Sequence, residues 1–487
     1  MRKHGQISPE SDLGKMKNLK SMIPAKGGFY GNLLALVFPI AFQNLMTAAV
    51  SAADVVMVGV VSQTALSAVS LASQVQFVLS LFYAGLTIGT TILAAQYWGK
   101  GDKSVVEQVL GISIKLSLVI SVLFAVGAIF FTGQLMMIFT SDPELIATGI
   151  PYLRIVGISY LFTSVSQIYL CIMKNTGKAL LSTIISSTAM ILNILLNAVF
   201  VFGLFGAPKL GVAGVAIATT ISRAVELIWC IAESLKENNI HIRIKYIIKN
   251  NWELFKDFMH YSTPVLGNEL VWGCGFTMYS VIMGHLGSDA VAANSIANIV
   301  KNLAISLCIG VSSGGAILLG IELGKRDLKL AKLYAARLCK LSLITGVIGG
   351  GIILAARPFI LDFASLSDLA RGYLSTMLYI CSYYVIGKSI NSTIIAGIFC
   401  AGGDTKFGFI CDTIDMWLFA IPLGLLCAFI FNLPVGWVYF IISMDELVKL
   451  PFVYRHYKKY LWLKNITREF DNINPDGDLA AIKKKAV

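Results

Sequence analysis

One long stretch of this chain occurs twice. Residues 39–102 lie on residues 264–327 without a gap, and sixteen positions are identical. They include Pro39/Pro264, Gly59/Gly284, Ala65/Ala290, Ala68/Ala293, Gly85/Gly310, Gly89/Gly314 and the closing Gly99-Lys100-x-Asp102/Gly324-Lys325-x-Asp327. Shared apolar composition scatters identities along a comparison. It does not put prolines, glycines and a charged terminus in one register. The repeat therefore marks a duplicated unit on which both halves of the fold must be built.

The medium in which that unit folds follows from composition. Hydrophobic residues make up 56% of the chain, charged residues only 14%, and the mean hydropathy is +0.75. Soluble domains carry about 25% charged residues, so this is a polytopic membrane protein. The polar opening segment, up to about Gly28, reads as a tail, not a signal peptide. The nine cysteines are scattered without a CxxC pair, which indicates thiols in the core or at lipid depth and neither disulfides nor a metal site.

Each bilayer crossing takes about 20 apolar residues, and twelve such stretches are present. They run roughly over 31–60, 65–95, 105–132, 146–173, 180–205, 211–235, 257–286, 290–320, 330–355, 369–400, 406–431 and 435–454. The last is interrupted by Asp445, Glu446, Lys449 and Pro451. The net charge of +12 could suggest a nucleic-acid partner, but its placement explains it otherwise. Most lysines and arginines fall in the tails and in loops on one side, whereas Lys209, Arg357 and Arg371 fall on the other. By the positive-inside rule both termini are expected to be cytoplasmic, and the composition suggests the plasma (inner) membrane.

Six crossings per unit insert both copies the same way up. The expected fold class is thus an all-α polytopic membrane protein, with twelve transmembrane helices in two parallel six-helix repeats forming two lobes around a central cleft. The division is a cytoplasmic tail over 1–30, an N-lobe over 31–236, a basic inter-lobe linker over 237–256, a C-lobe over 257–456 and a cytoplasmic tail over 457–487. The linker is partly amphipathic and should lie on the inner membrane surface. The run Lys483–Lys485 reads as disordered. Pro39 and Pro264 each bend the first helix of a repeat, as a fixed kink or as a hinge.

Ionisable and polar groups at membrane depth are costly and face cavities or partners. In the N-lobe these are Asp54, then Asn193 and Asn197 four residues apart on one face, then Thr219 beside Thr220. Oxygen ligands with one carboxylate suit a proton or Na⁺, although hydration of Asp54 near the outer mouth and helix–helix hydrogen bonding by the asparagines are rival readings. In the C-lobe, Glu269 and Asp412 should share the bundle with Lys301 and Lys388, as a proton relay, a substrate contact or a purely structural network. Asp415 ranks below Asp412. Gln43, Asn44, Trp272, Tyr279 and Tyr384 are candidates to line the cleft for flat organic cations.

Several motifs then combine. FPIAFQNLMTAAVSAADVVMVG opens the first repeat and PVLGNELVWG the second. QTALSAVSLA and SDAVAANSIA supply small-residue runs, GKGD and GKRD close spans two and eight, and KNTGK and AGGDTKF follow spans four and ten. Over about 30–455 the chain resembles the MATE (multidrug and toxic compound extrusion) family. The resemblance implies a secondary antiporter that exchanges H⁺ or Na⁺ for cationic, amphipathic compounds by alternating access between lobes. The chain is further expected to act as a monomer among membrane lipids and without an organic cofactor. The family's first-helix Asp falls on Asp54. Its span-five pattern of Asn then Asp falls on Asn193 and Asn197, the second position here being Asn. A span-seven Glu of some members is similar to Glu269, one turn nearer the helix start, and a span-ten acid is replaced by Lys388-Ser389. The alternative within the same superfamily is a flippase for a lipid-linked saccharide or other lipid, which calls for a strongly cationic cleft. An enzyme is not expected: His4, His241, His260, His285 and His456 do not cluster in spans, and no DDxxD or HExxH motif occurs.

Overall fold

The structure is a computed structural model that describes residues 28–249, 251–363 and 366–469. Among these residues every regular element is helical. The first half contains α1 (Gly28–Val61), α2 (Gln63–Lys100), α3 (Lys103–Phe130), the short α4 (Thr132–Phe139), α5 (Pro143–Asn175), α6 (Ala179–Phe202) and α7 (Gly211–Ser234). After the short α8 (Ile244–Ile248) come α9 (Trp252–His285), α10 (Ser288–Gly324), α11 (Leu328–Phe363), α12 (Asp368–Ser392) and α13 (Thr405–Ile430). Nine helices among the described residues are long and apolar enough to cross a membrane. The 34-residue α9 and α12, which continues as a π-helical stretch over Thr393–Phe399, have the length but carry more polar groups. The stretch at 435–454 forms three short helices: α14 (Val435–Ile442), α15 (Asp445–Val448) and α16 (Leu450–Tyr457).

The repeated GKxD ends do the same work twice. Asp102 accepts a hydrogen bond from the Val105 amide (3.2 Å) and Asp327 from the Leu330 amide (3.0 Å), so each caps the helix that follows. The paired glycines mark where the halves meet. A Cβ on Gly85 would press on Leu266 and one on Gly310 on Ala41; Gly89 faces Ser262 and Gly314 faces Val37; Gly99 faces the Ile321 carbonyl and Gly324 the Gln96 carbonyl. Every contact is returned by its copy under the displacement that lays Pro39 on Pro264, with Gly320 on Ala95 as the self-returning pair. A self-complementary seam of this kind is what a two-fold relation generates, and small residues let the helices approach without the clash of side chains.

The seam lies toward the face that carries Lys100 and Lys325, called here the basic face. Toward the far face the repeated glycines make no such approach: a Cβ on Gly59 would meet only Leu66 of its own half, and one on Gly284 would meet open space. The close glycine contacts between the two halves are thus concentrated toward the basic face. Pro39 and Pro264 sit inside continuous helices, and the Pro39 carbonyl accepts from Thr183 (3.0 Å).

Two expectations need correction or completion. The segment after α16 is no free tail as far as residue 469. Trp462 is fully buried and stacks on Tyr457 at 5.7 Å. Asn465 donates to the carbonyls of Leu323 (2.7 Å) and Gly324 (3.1 Å), the Ile466 amide donates to Gln96 (2.9 Å), and Arg468 pairs with Asp257 (2.9 Å). The strap therefore spans the ends of α2, α9 and α10. Residues 1–27 and Lys483–Lys485 lie outside the described residues. In the linker, Arg243 pairs with Glu107 of α3 (2.6 Å) and Tyr246 packs under Gly111, leaving Ile244, Ile248 and Trp252 exposed.

Candidate functional site

Packing α1 against α6, and α6 against α7, brings the four polar candidates of the first half together. Asn197 donates to Asp54 Oδ1 at 2.5 Å and contacts Asn193 Oδ1 at 3.4 Å, while Asn193 donates to Thr219 at 3.2 Å. Asn197 is fully buried and its Oδ1 has no hydrogen-bond partner. The four-residue spacing on α6 stacks the two amides on one face, so a single carboxylate is tethered to a chain of neutral groups. One turn beyond Thr219, Arg223 pairs with Glu226 (2.6 Å). Among the described residues no group of three or more His, Cys, Asp or Glu side chains is arranged to hold a metal. A coupling ion here would rely on Asp54 and amide or hydroxyl oxygens.

A cavity of about 450 Å³ lies between the halves and is lined by both. The first half contributes Asn44, Thr87, Lys174 and Asn175; the second contributes Glu269, Trp272, Lys388, Asn391, Asp412, Glu446 and Lys449. Much of its charge is already paired. Lys388 binds Glu446 (3.0 Å), Glu446 binds Lys449 (3.1 Å), and Lys449 binds Asp412 (2.9 Å). Asn391 donates to Glu446 (2.8 Å) and Asn268 to Asp412 (3.0 Å). Such a chain is tolerable at depth because every ion has an opposite neighbour and further hydrogen bonds.

The pairing differs from the sequence expectation. Lys388 and Asp412 do not pair with each other but are linked through Glu446 and Lys449, which the break between α14 and α16 turns inward. Lys301 is outside this chain: its ammonium lies over the rings of Tyr384 (5.0 Å) and Phe276 (5.8 Å), a cation–π arrangement. With Tyr279, Tyr384 and Asp445 it lines a separate pocket of about 30 Å³. Tyr279 contacts Asp445 at 3.4 Å. Neither tyrosine lines the cavity, and Gln43 turns away to Ser186 (3.0 Å). Asn44 and Trp272 do line it, and Lys388 lies 5.5 Å from the Trp272 ring. Asp415 is buried off the cavity.

Lys174, Glu446 and Lys449 were not singled out from the sequence. Lys174 looked like a loop charge, whereas α5 runs on through it to Asn175. Glu446 and Lys449 looked like defects in a span. Their spacing of three residues, one helical turn, was the available signal.

The family model MatE matches residues 39–199 and again 264–426. The transporter YisQ of Bacillus subtilis is 24% identical over 442 residues, covering 89% of this chain and 95% of the relative. The probable multidrug resistance protein NorM of Agrobacterium fabrum is 24% identical over 439 residues, covering 86% and 91%. An outward-facing conformation of a multidrug resistance MATE family transporter of the MOP superfamily shares the fold with a TM-score of 0.81 at 18% identity, over 89% of this chain and 96% of that one. A MOP superfamily transporter from Pyrococcus furiosus does so with a TM-score of 0.80 at 18% identity, over 88% and 95%. With the family model matched once in each half, this chain belongs to the MatE family: it is a multi-pass membrane transporter.

Proposed function

We propose that the protein exports organic, amphipathic compounds, cationic ones among them, across the cell membrane in exchange for H⁺ or Na⁺. The observation that carries this reading is the cavity lined by both halves, with the close glycine contacts between them on the basic face. A site held between two related halves is what alternating access requires, because rocking one half against the other exposes the same groups to either side. The concentration of lysine and arginine toward the basic face supports a cytoplasmic placement of that face and of both termini. The relatives named for multidrug resistance support export of this kind.

Asp54 is the coupling group in this reading. It sits in the first half, hydrogen-bonded to Asn197, with Asn193 and Thr219 adjoining. Ion binding there biases one arrangement of the halves over the other, and it does so only by its differential affinity for the two. A lipid-linked saccharide is a poorer fit. Its pyrophosphate needs an excess of cations, and the cavity presents three lysines against three carboxylates.

Ethidium efflux from cells expressing the protein tests the reading, with the Na⁺ and pH gradients collapsed separately. Wild type should export the dye and lose export when one gradient is removed. Asp54→Asn should reach the membrane at normal levels and export nothing. Export that survives loss of both gradients, or an unimpaired Asp54→Asn, contradicts it.

A further inference from the structure

Another cavity, of about 180 Å³, lies on the basic face of the first half. Three segments meet there: the end of α2 at Trp98, the turn from α5 into α6 at Gly177 and Lys178, and the linker at Asn238 and Asn239. None of its lining residues lines the cavity between the halves.

Its unpartnered groups are donors. The Lys178 ammonium, the Trp98 indole N–H and the Asn238 side-chain amide make no hydrogen bond or ion pair among the described residues. Positive charge is in excess around them. Glu233, the acid that acts on Lys178, is committed to Lys236 (2.5 Å) and Asn239 (3.2 Å). Lys103 and Lys236 both repel Lys178. The Lys103 ammonium itself reaches only the Glu237 carbonyl, at 3.5 Å, among the described residues. Burial, with the two lysines adding to it, holds the Lys178 ammonium below the usual lysine range despite Glu233. Glu237 does not line the cavity.

We infer that this cavity binds the phosphate group of an anionic phospholipid from the leaflet at the basic face, with Lys178, Trp98 and Asn238 donating to its oxygens. A phosphate diester offers acceptors and a negative charge, and its bond to an ammonium is charge-assisted. Basic pockets among helix ends on the cytoplasmic side suit such headgroups. The neighbouring surface favours a lipid over free phosphate. Leu180, two residues beyond Lys178, and Leu235, beside Lys236, are 64% and 75% exposed. Ile184 and Ile231, four residues away on the same faces of α6 and α7, are exposed as well, and the two helices pack together. Acyl chains therefore have an apolar track that starts at the headgroup pocket. The inference does not depend on what the transporter exports.

Calorimetric titration of the purified full-length protein in a neutral detergent tests it. The probes are dihexanoyl phosphatidylglycerol, the phosphatidylcholine with the same chains, and inorganic phosphate. Phosphatidylglycerol should bind saturably and about tenfold more tightly than phosphatidylcholine, with phosphate weaker still. Lys178→Met should weaken phosphatidylglycerol binding about tenfold, the worth of one charge-assisted contact, and Lys178→Arg should keep most of it. Asn238→Ala should weaken it severalfold, at a position whose exposure spares the fold. Lys249→Met removes an exposed linker lysine that does not line the cavity and should bind like wild type. Equal affinity for the two lipids, or equal losses in Lys178→Met and Lys249→Met, overturns the inference, since lipid then reads only the charge of the whole face. Phosphate that binds as tightly as phosphatidylglycerol overturns the lipid assignment in favour of a soluble phosphate. No saturable binding of any probe to wild type overturns the site itself.

Discussion

At the scale of single residues, the charges that line the cavity divide into those paired with one another and those without an ion pair among the described residues. Glu446 belongs to the first kind. It is 1% exposed and receives Lys388, Lys449 and Asn391. Glu446→Gln leaves two buried ammonium groups short of a counter-charge, and breaking a buried pair this way costs about 3–5 kcal/mol. A lower melting temperature in detergent is expected, with Glu446→Asp milder; an unchanged melting temperature would show the chain to be dispensable. The Asp54 group was legible in the sequence because a lone acid and two asparagines four apart fix a helix face by themselves. The C-half pairing was not legible, since it depends on a broken helix that returns Glu446 and Lys449 to the interior. Nothing local distinguishes that break from a poor span.

At the scale of elements, the seam between α2 and α10 is the part that the proposed alternating access requires to come apart. Its closeness depends on glycine at the crossing: a side chain at Gly324 meets the Gln96 backbone carbonyl, which cannot move aside as a flexible side chain would. Gly324→Leu should hold the basic face open. A cysteine placed at Ala95, buried in the seam, should then react with maleimide several times faster than in the wild-type background. Equal rates would mean that the glycine is not needed for closure. The strap after α16 acts on the same seam. Asn465→Ala removes hydrogen bonds to two carbonyls of α10, a loss worth roughly 1–3 kcal/mol, and should raise labelling at the same position to a lesser degree. The register of the seam was present in the repeat, since the glycines common to both copies and set toward the basic face are the ones that touch. The strap was not, because the lysines and other polar residues of 458–469 look like a solvated tail, whereas Trp462 and Ile466 are buried in the core and hydrogen bonds tie the segment to helix ends.

At the scale of the whole molecule, a symmetric frame encloses an asymmetric interior. The displacement that relates the seam contacts also lays Asn44 on Glu269 and Gln43 on Asn268. The duplicated backbone explains why the halves fit and can rock. The unlike side chains place the carboxylate of Asp54 in one half and most of the charge around the cavity in the other. The central claim is that occupancy of Asp54 sets the balance between two arrangements of the halves. Spin labels on cysteines at Lys103 and Lys329, which flank the seam on the basic face, measure it directly by pulsed electron resonance in lipid. Wild type should give a short and a long distance whose proportions change with pH or Na⁺, and Asp54→Asn should keep fixed proportions under all conditions. A single short distance in wild type at every pH and Na⁺ concentration, or a full response in Asp54→Asn, would contradict the account.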